Sequence, residues 1–159
     1  MEFEEKNKSA KYLTVGIGDE IYGIPVEEVR EALITPKITR IPGIPEYGKG
    51  IIDVRDKAAL LIDLGMKLGL GAIDARNETN VLVLDLPGEK TLGAQVQKVH
   101  EVIEILTESV EPPPQFGNKI DHSYIRGIGK AADGSFIILL NVKAIFEEFI
   151  QEEKKTLSA

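Results

Sequence analysis

The chain has 159 residues, a net charge of −7, and no cysteine or tryptophan. That excludes disulfides, thiolate metal sites and a cysteine nucleophile, and the acidic balance lacks the basic footprint of a nucleic-acid binder. At 43% hydrophobic and 28% charged it has the composition of an ordinary globular protein, in which Val, Ile and Leu must supply most of the core.

Residues 1–10 are charged and aperiodic and are expected to form a flexible leader. They lack the basic region and apolar core of a signal peptide. No apolar run approaches the roughly 20 residues needed to cross a bilayer, so the expectation is a cytosolic protein without direct membrane insertion. Tyr12 to Ile17 alternates, with Leu13, Val15 and Ile17 on one face, and Gly18-Asp19 marks a turn into a second strand, Ile21 to Ile24, closed by Pro25. Val26 to Leu33 fits a helical turn or a strand. Ile38 to Ile41 is extended, and Pro42, Gly43 and Pro45 make a stiff connection.

Gly50 to Leu64 (GIIDVRDKAALLIDL) reads as a β-hairpin: two apolar runs joined by the charged turn Arg55-Asp56-Lys57. Asp63 can then cap LGMKLGL as a short helix. Gly71 to Glu78 is loop. Asn80 to Leu86 (NVLVLDL) is a strong strand, followed by a turn at Pro87-Gly88 and extended runs over Thr91–Val96 and Val99–Leu106. Pro112 to Pro114 stiffen a segment that presents Phe116. Ile125–Lys130 and Ser135–Leu140 flank a turn, Asn141 can cap a last helix from Val142 to about Gln151, and 151–159 is a charged tail.

The chain repeats itself. Gly23-x-x-Val26-x-x-Val29-x-Glu31 reappears as Gly93-x-x-Val96-x-x-Val99-x-Glu101, Gly50-Ile51 as Gly127-Ile128, Asp56 as Asp133, and Leu61-Ile62-Asp63-Leu64 as Leu139-Leu140-Asn141-Val142. Four matches in one order predict a duplication: an all-β chain of two barrels of about five strands each, with a capped helix after each. The expected halves are 11–78 and 79–150, with the termini free to cross over. Such small barrels bury little alone and should share an interface.

No catalytic motif survives inspection. His100-Glu101-Val102-Ile103-Glu104 lacks the second histidine of a zinc motif, and Pro87 to Thr91 lacks the glycines of a phosphate loop. The serines lie in no nucleophile context. Asp53, Asp56 and Asp63 are conceivable acid–base carboxylates for a small hydrolase, but a turn residue and a helix cap account for two of them. The expectation is a non-enzyme without metal or cofactor. For Phe116, packing on its own barrel and partner contact stand about even; for Arg55 the plain reading is a solvated turn residue pairing weakly with Asp53.

Gly18-Asp19-Glu20-Ile21-Tyr22-Gly23-Ile24, Val26-x-x-Val29-x-Glu31, Thr39-Arg40-Ile41, Gly50-Ile51-Ile52-Asp53-Val54-Arg55 and Tyr124-Ile125-Arg126-Gly127-Ile128-Gly129 resemble the CheW family of bacterial chemotaxis coupling proteins. The resemblance runs from about Lys11 to Phe149. It implies two SH3-like five-stranded barrels in a single domain over 11–150. It also implies a cytoplasmic adaptor at receptor arrays beneath the inner membrane, joining methyl-accepting chemoreceptor tips to the regulatory domain of a sensor histidine kinase, with ring assembly alongside the kinase. A scaffold in a divergent, non-motility chemosensory pathway is the alternative. The family's partner-binding positions fall on Val29, Glu31, Gly50, Arg55 and Val102, with Phe116 implied as a kinase contact and Arg55–Glu31 as a charge pair. Asp53, Asp56 and Leu60 depart from the family's usual hairpin, Asp56 standing where a turn glycine is usual.

Overall fold

The computed structural model describes residues 8–114 and 121–150. The described chain runs through β1 (Ser9–Ile17), β2 (Glu20–Pro25), β3 (Val29–Ile34), β4 (Gly48–Val54), β5 (Lys57–Asp63), β6 (Asn80–Leu86), β7 (Lys90–Val96), β8 (Lys98–Leu106), β9 (Ile125–Lys130) and β10 (Phe136–Leu140). Short helices α1 (Leu64–Lys67) and α2 (Val142–Ile145) follow β5 and β10. The segment that fitted both helix and strand is both in turn: Val26–Glu28 is a 3-10 turn and the rest is β3. Of Ile38 to Ile41, only Thr39 pairs, in a single bridge to Ile51.

The strands form two five-stranded sheets, ordered β8-β1-β2-β10-β9 and β3-β6-β7-β5-β4. The fold is all-β with two SH3-like subdomains, and the duplication is visible in it. Within each copy, the third, first, second, fifth and fourth strands take the same places, and both sheets contain one parallel pair, β2–β10 or β5–β7. The expected halves 11–78 and 79–150, however, are not the two barrels. The first two strands of each copy sit in the other copy's sheet, so the crossover is a reciprocal exchange. Pro25 ends β2 and the 3-10 turn over Val26–Glu28 carries the chain onward to β6 of the other sheet. Apolar alternation is the same in either sheet, so it does not dictate which one a strand joins.

Three apolar clusters follow from this layout. One fills the barrel of β3–β7 (Ile52, Val54, Ala59, Leu61, Val81, Val83), and one fills the other (Tyr12, Ile105, Ile137, Leu139). The largest lies between the sheets, drawing Val15 and Ile24 from one, Leu82 and Val96 from the other, and Phe146 and Phe149 from the C-terminal segment. Strand β6 is therefore covered on both faces, Val81 and Val83 inward and Leu82 and Leu84 toward the partner barrel, which is why NVLVLDL is nearly all apolar. The repeated glycines Gly23 and Gly93 sit opposite Leu139 and Leu61 in the parallel pairs; a Cβ at Gly23 would stand 2.9 Å from Leu139.

Both expected caps form. Asp63 Oδ1 accepts from Met66 N at 3.0 Å, and Asn141 Oδ1 accepts from Ala144 N at 3.2 Å. The first helix is shorter than expected, and the second runs to residue 150 as expected but is broken at Phe146. Gly69, with φ +78°, ends the first helical stretch, and Phe146 leaves helical geometry with its ring buried before residues 147–150 make a further turn.

Candidate functional site

Strands β4 and β5 pair down to Val54–Lys57, leaving Arg55 and Asp56 as the two turn residues, with φ of 51° and 67°. Two left-handed residues make the type I′ geometry that suits the strand twist. Asp53 is used by the turn itself, its Oδ1 accepting from Asp56 N at 2.9 Å. Arg55 instead reaches the neighbouring edge strand, where its Nε donates to Glu31 Oε2 at 2.7 Å. The plain sequence reading, Arg55 with Asp53, is therefore replaced by the pair that the family resemblance implied. The arginine side chain is 75% exposed and the glutamate 19%, so the contact holds the hairpin tip to β3 at the surface.

Strand β3 is an edge of its sheet and carries a bulge between Val29 and Glu31. The bulge turns Arg30 toward β6, where its Nε donates to Asp85 Oδ2 at 3.0 Å. Charges and a bulge on an edge strand also discourage unwanted strand pairing. Val29 is half-buried against the core between the sheets. Gly50 is buried, with φ +136°, and a Cβ there would stand 2.2 Å from the Thr39 carbonyl oxygen. Its bareness lets Thr39 and Ile51 exchange hydrogen bonds of 2.8 and 2.7 Å, and it shapes the surface from beneath. Val102 is 50% exposed on the outer side of β8, in the other sheet. Glu31, Gly50 and Arg55 are thus gathered on the barrel of β3–β7, while Val102 is not with them. Phe116 lies outside the described residues.

The three aspartates do not converge. Asp53 and Asp56 are exposed at the hairpin tip, whereas Asp63 is fully buried at the far end of β5, roughly 20 Å away at about 3.3 Å per residue. Asp63 also accepts from Ile73 N at 2.9 Å, so both its oxygens serve the backbone. Among the described residues no group of three or more His, Cys, Asp or Glu could hold a metal ion.

A cluster that sequence reasoning missed joins the two barrels. Lys67 of α1, with its side chain 9% exposed, donates to Tyr124 Oη at 3.1 Å and pairs with Glu148 at 2.9 Å. Tyr47 Oη also donates to Glu148, and the ammonium lies 4.8 and 5.3 Å from the Tyr47 and Tyr124 ring centres. Burial works against the lysine's charge, but its hydrogen bonds to Glu148 and Tyr124 outweigh it and its pKa is raised. Burial likewise opposes ionisation of Glu148, and Tyr47 and Lys67 outweigh it, so its pKa is lowered. The one signal in the sequence was a lone cation within the apolar run LGMKLGL.

A CheW-like domain matches residues 11–149. Chemotaxis protein CheW of Klebsiella aerogenes is 28% identical over 129 residues, covering 81% of this chain and 77% of the relative. Chemotaxis protein CheW of Helicobacter pylori is 28% identical over 145 residues, covering 91% and 86%. Among solved structures, the scaffolding protein TtCheW from Thermoanaerobacter tengcongensis superposes with a TM-score of 0.77 at 32% identity, covering 87% of this chain and 88% of that one. The likeness spans both sheets and the hairpin that carries Arg55, and the chain belongs to the CheW family.

Proposed function

We propose that the protein is a non-enzymatic chemotaxis adaptor that couples the cytoplasmic tips of chemoreceptors to the regulatory domain of a sensor histidine kinase. Family membership over nearly the whole chain supports the reading. The observation that carries it to particular residues is the Arg55–Glu31 contact, which fixes the hairpin tip against edge strand β3. Val29, Glu31 and Arg55 form the docking surface on one barrel, Gly50 sets its backbone, and Val102 and Phe116 contribute from outside it, Phe116 toward the kinase. Among the described residues no helix is long and apolar enough to cross a membrane. The adaptor works in the cytoplasm at receptor arrays, in rings with the kinase.

The test is reconstitution with a chemoreceptor and a sensor kinase recovered together from lysate of the native organism. Adding the protein should raise receptor-dependent kinase autophosphorylation, and Arg55→Ala should reduce that stimulation. Kinase activity that is indifferent to the protein, with both components confirmed active, would reject the adaptor reading.

A further inference from the structure

The duplication brings its two copies of one tyrosine together. Gly50 aligns with Gly127, so Tyr47 aligns with Tyr124. Their backbones play the same part: the Tyr47 carbonyl accepts from Asp63 N and the Tyr124 carbonyl from Asn141 N, both at 2.8 Å. Tyr47 precedes β4 in the barrel of β3–β7 and Tyr124 precedes β9 in the other. Both rings nevertheless lie by one ammonium, that of Lys67, at 4.8 and 5.3 Å from their centres. Leu64 aligns with Val142, so Lys67 aligns with Ile145, an apolar core residue that is 1% exposed. The cation is therefore not something the fold requires, and it stands where equivalent points of the two barrels meet.

Most of what joins the barrels is apolar, and apolar contact rewards buried area without fixing a direction. The chain crosses between them at 25–29 and 96–98, and the hydrogen bond from Val99 N to Asn80 Oδ1, at 3.0 Å, lies beside the second crossing. The Lys67 cluster is a link of another kind. Lys67 and Tyr47 come from one barrel, Tyr124 from the other, and Glu148 from the C-terminal segment after β10. Charge-assisted hydrogen bonds are short and directional, and a lysine side chain only 9% exposed makes them with little competition from water. Rotating one barrel against the other would draw Tyr124 away from Lys67 and break that contact.

We propose that Lys67 is a positioning residue for coupling: it fixes the angle between the two barrels, so that a partner docked on one barrel is held in a set orientation to a partner docked on the other. The inference rests on the adaptor reading, in which Glu31 and Arg55 dock on the barrel of β3–β7 while Val102 lies on the other. Relaxing the angle leaves each docking surface intact. Binding of either partner alone then survives, and what is lost is the coupling between them.

The chain has no cysteine, so Ile34→Cys in β3 and Phe136→Cys in β10 place one nitroxide label on each barrel of the full-length protein, both at exposed sites. Pulsed electron paramagnetic resonance should give one narrow distance, and a broader distribution once Lys67→Met is added. Labels at Leu106→Cys and Phe136→Cys, both in one barrel, should give the same distribution with or without Lys67→Met. Broadening of this pair as well would show a general loosening of the fold and overturn the proposal. Glu148→Gln, whose side chain is 43% exposed in the parent, should also broaden the distance between the barrels, and it decides the matter should Lys67→Met fail to fold. In the reconstituted system Lys67→Met should bind receptor alone and kinase alone as the parent does, while receptor-dependent kinase stimulation falls at least about fivefold. An unchanged distance between the barrels, or full stimulation despite a broadened one, would overturn the inference. Failure of the adaptor reading looks different: the unsubstituted protein would leave the kinase unmoved, which removes the coupling role whatever the distances show.

Discussion

Asp56 sits at φ 67° in the second position of a two-residue turn, where an L side chain is strained and glycine is not. Asp56→Gly is expected to stabilise the protein by up to about 1 kcal/mol, read as a higher urea midpoint, with the Arg55–Glu31 contact intact. A lower midpoint would show that the aspartate gives the turn more than its conformation costs. Glu28 presents a second residue-scale conflict. One of its carboxylate oxygens is buried without a hydrogen-bond partner among the described residues. Burial raises its pKa, and the attraction of Arg126 and Lys143 offsets this only in part. With the folded pKa above the unfolded one, Glu28 contributes stability below about pH 4.5 and loses it as pH rises through the folded value. Glu28→Gln should therefore be more stable than the parent at pH 7, with the difference closing toward pH 4. A variant less stable at pH 7 would mean that the two cations outweigh burial.

At the scale of elements, the Arg55–Glu31 contact links the β4–β5 hairpin to β3. Because the arginine is largely exposed, the pair is worth only about 0–1 kcal/mol to stability. Its value lies in position: the planar guanidinium fixes where the hairpin tip stands relative to the edge strand. Arg55→Ala and Glu31→Ala should each weaken receptor binding while barely changing the melting temperature, and the double variant should be little worse than either. Additive losses in that double-mutant cycle would mean that the two residues act separately. The hairpin itself was legible in the sequence, as were the caps at Asp63 and Asn141 and the strand over Asn80–Leu86, because turn chemistry and apolar runs are local signals. The Arg55–Glu31 pair was not. Asp53 is the nearer carboxylate in sequence, and only the family resemblance pointed past it; the turn amide of Asp56 then occupies Asp53. Lys67 escaped for a related reason, since its partners Tyr124 and Glu148 lie far along the chain and meet it only once the barrels have packed.

The whole molecule is held by what passes between its barrels. The duplication was legible as repeated glycines and caps, but the exchange of strands was not, because alternation specifies a buried face without specifying whose sheet it belongs to. That exchange threads each barrel with strands from both copies, so neither half of the chain contains a complete sheet. The largest apolar cluster then lies between the sheets, and the Lys67–Glu148–Tyr47–Tyr124 cluster closes its edge. Removing the lysine leaves the Tyr124 hydroxyl, the Tyr47 ring and Glu148 without their shared cation. Lys67→Met keeps most of the stem's packing and should cost about 2 kcal/mol, or roughly 4–8 °C in melting temperature for a chain of this size. The pH dependence identifies the cause. The lowered pKa of Glu148 gives stability that is present above about pH 4.5 and lost as pH falls through the folded value. The raised pKa of Lys67 gives stability that is present below about pH 10.5 and lost as pH rises through the folded value. The parent should thus lose stability at both limits, whereas Lys67→Met should lose less at the alkaline limit, where its missing ammonium has nothing to give up, and less at the acid limit, where Glu148 no longer has a cation to leave. Parallel stability–pH curves for the two proteins would show that the cluster's charges do not hold the barrels together, and that the lysine acts through its apolar stem alone.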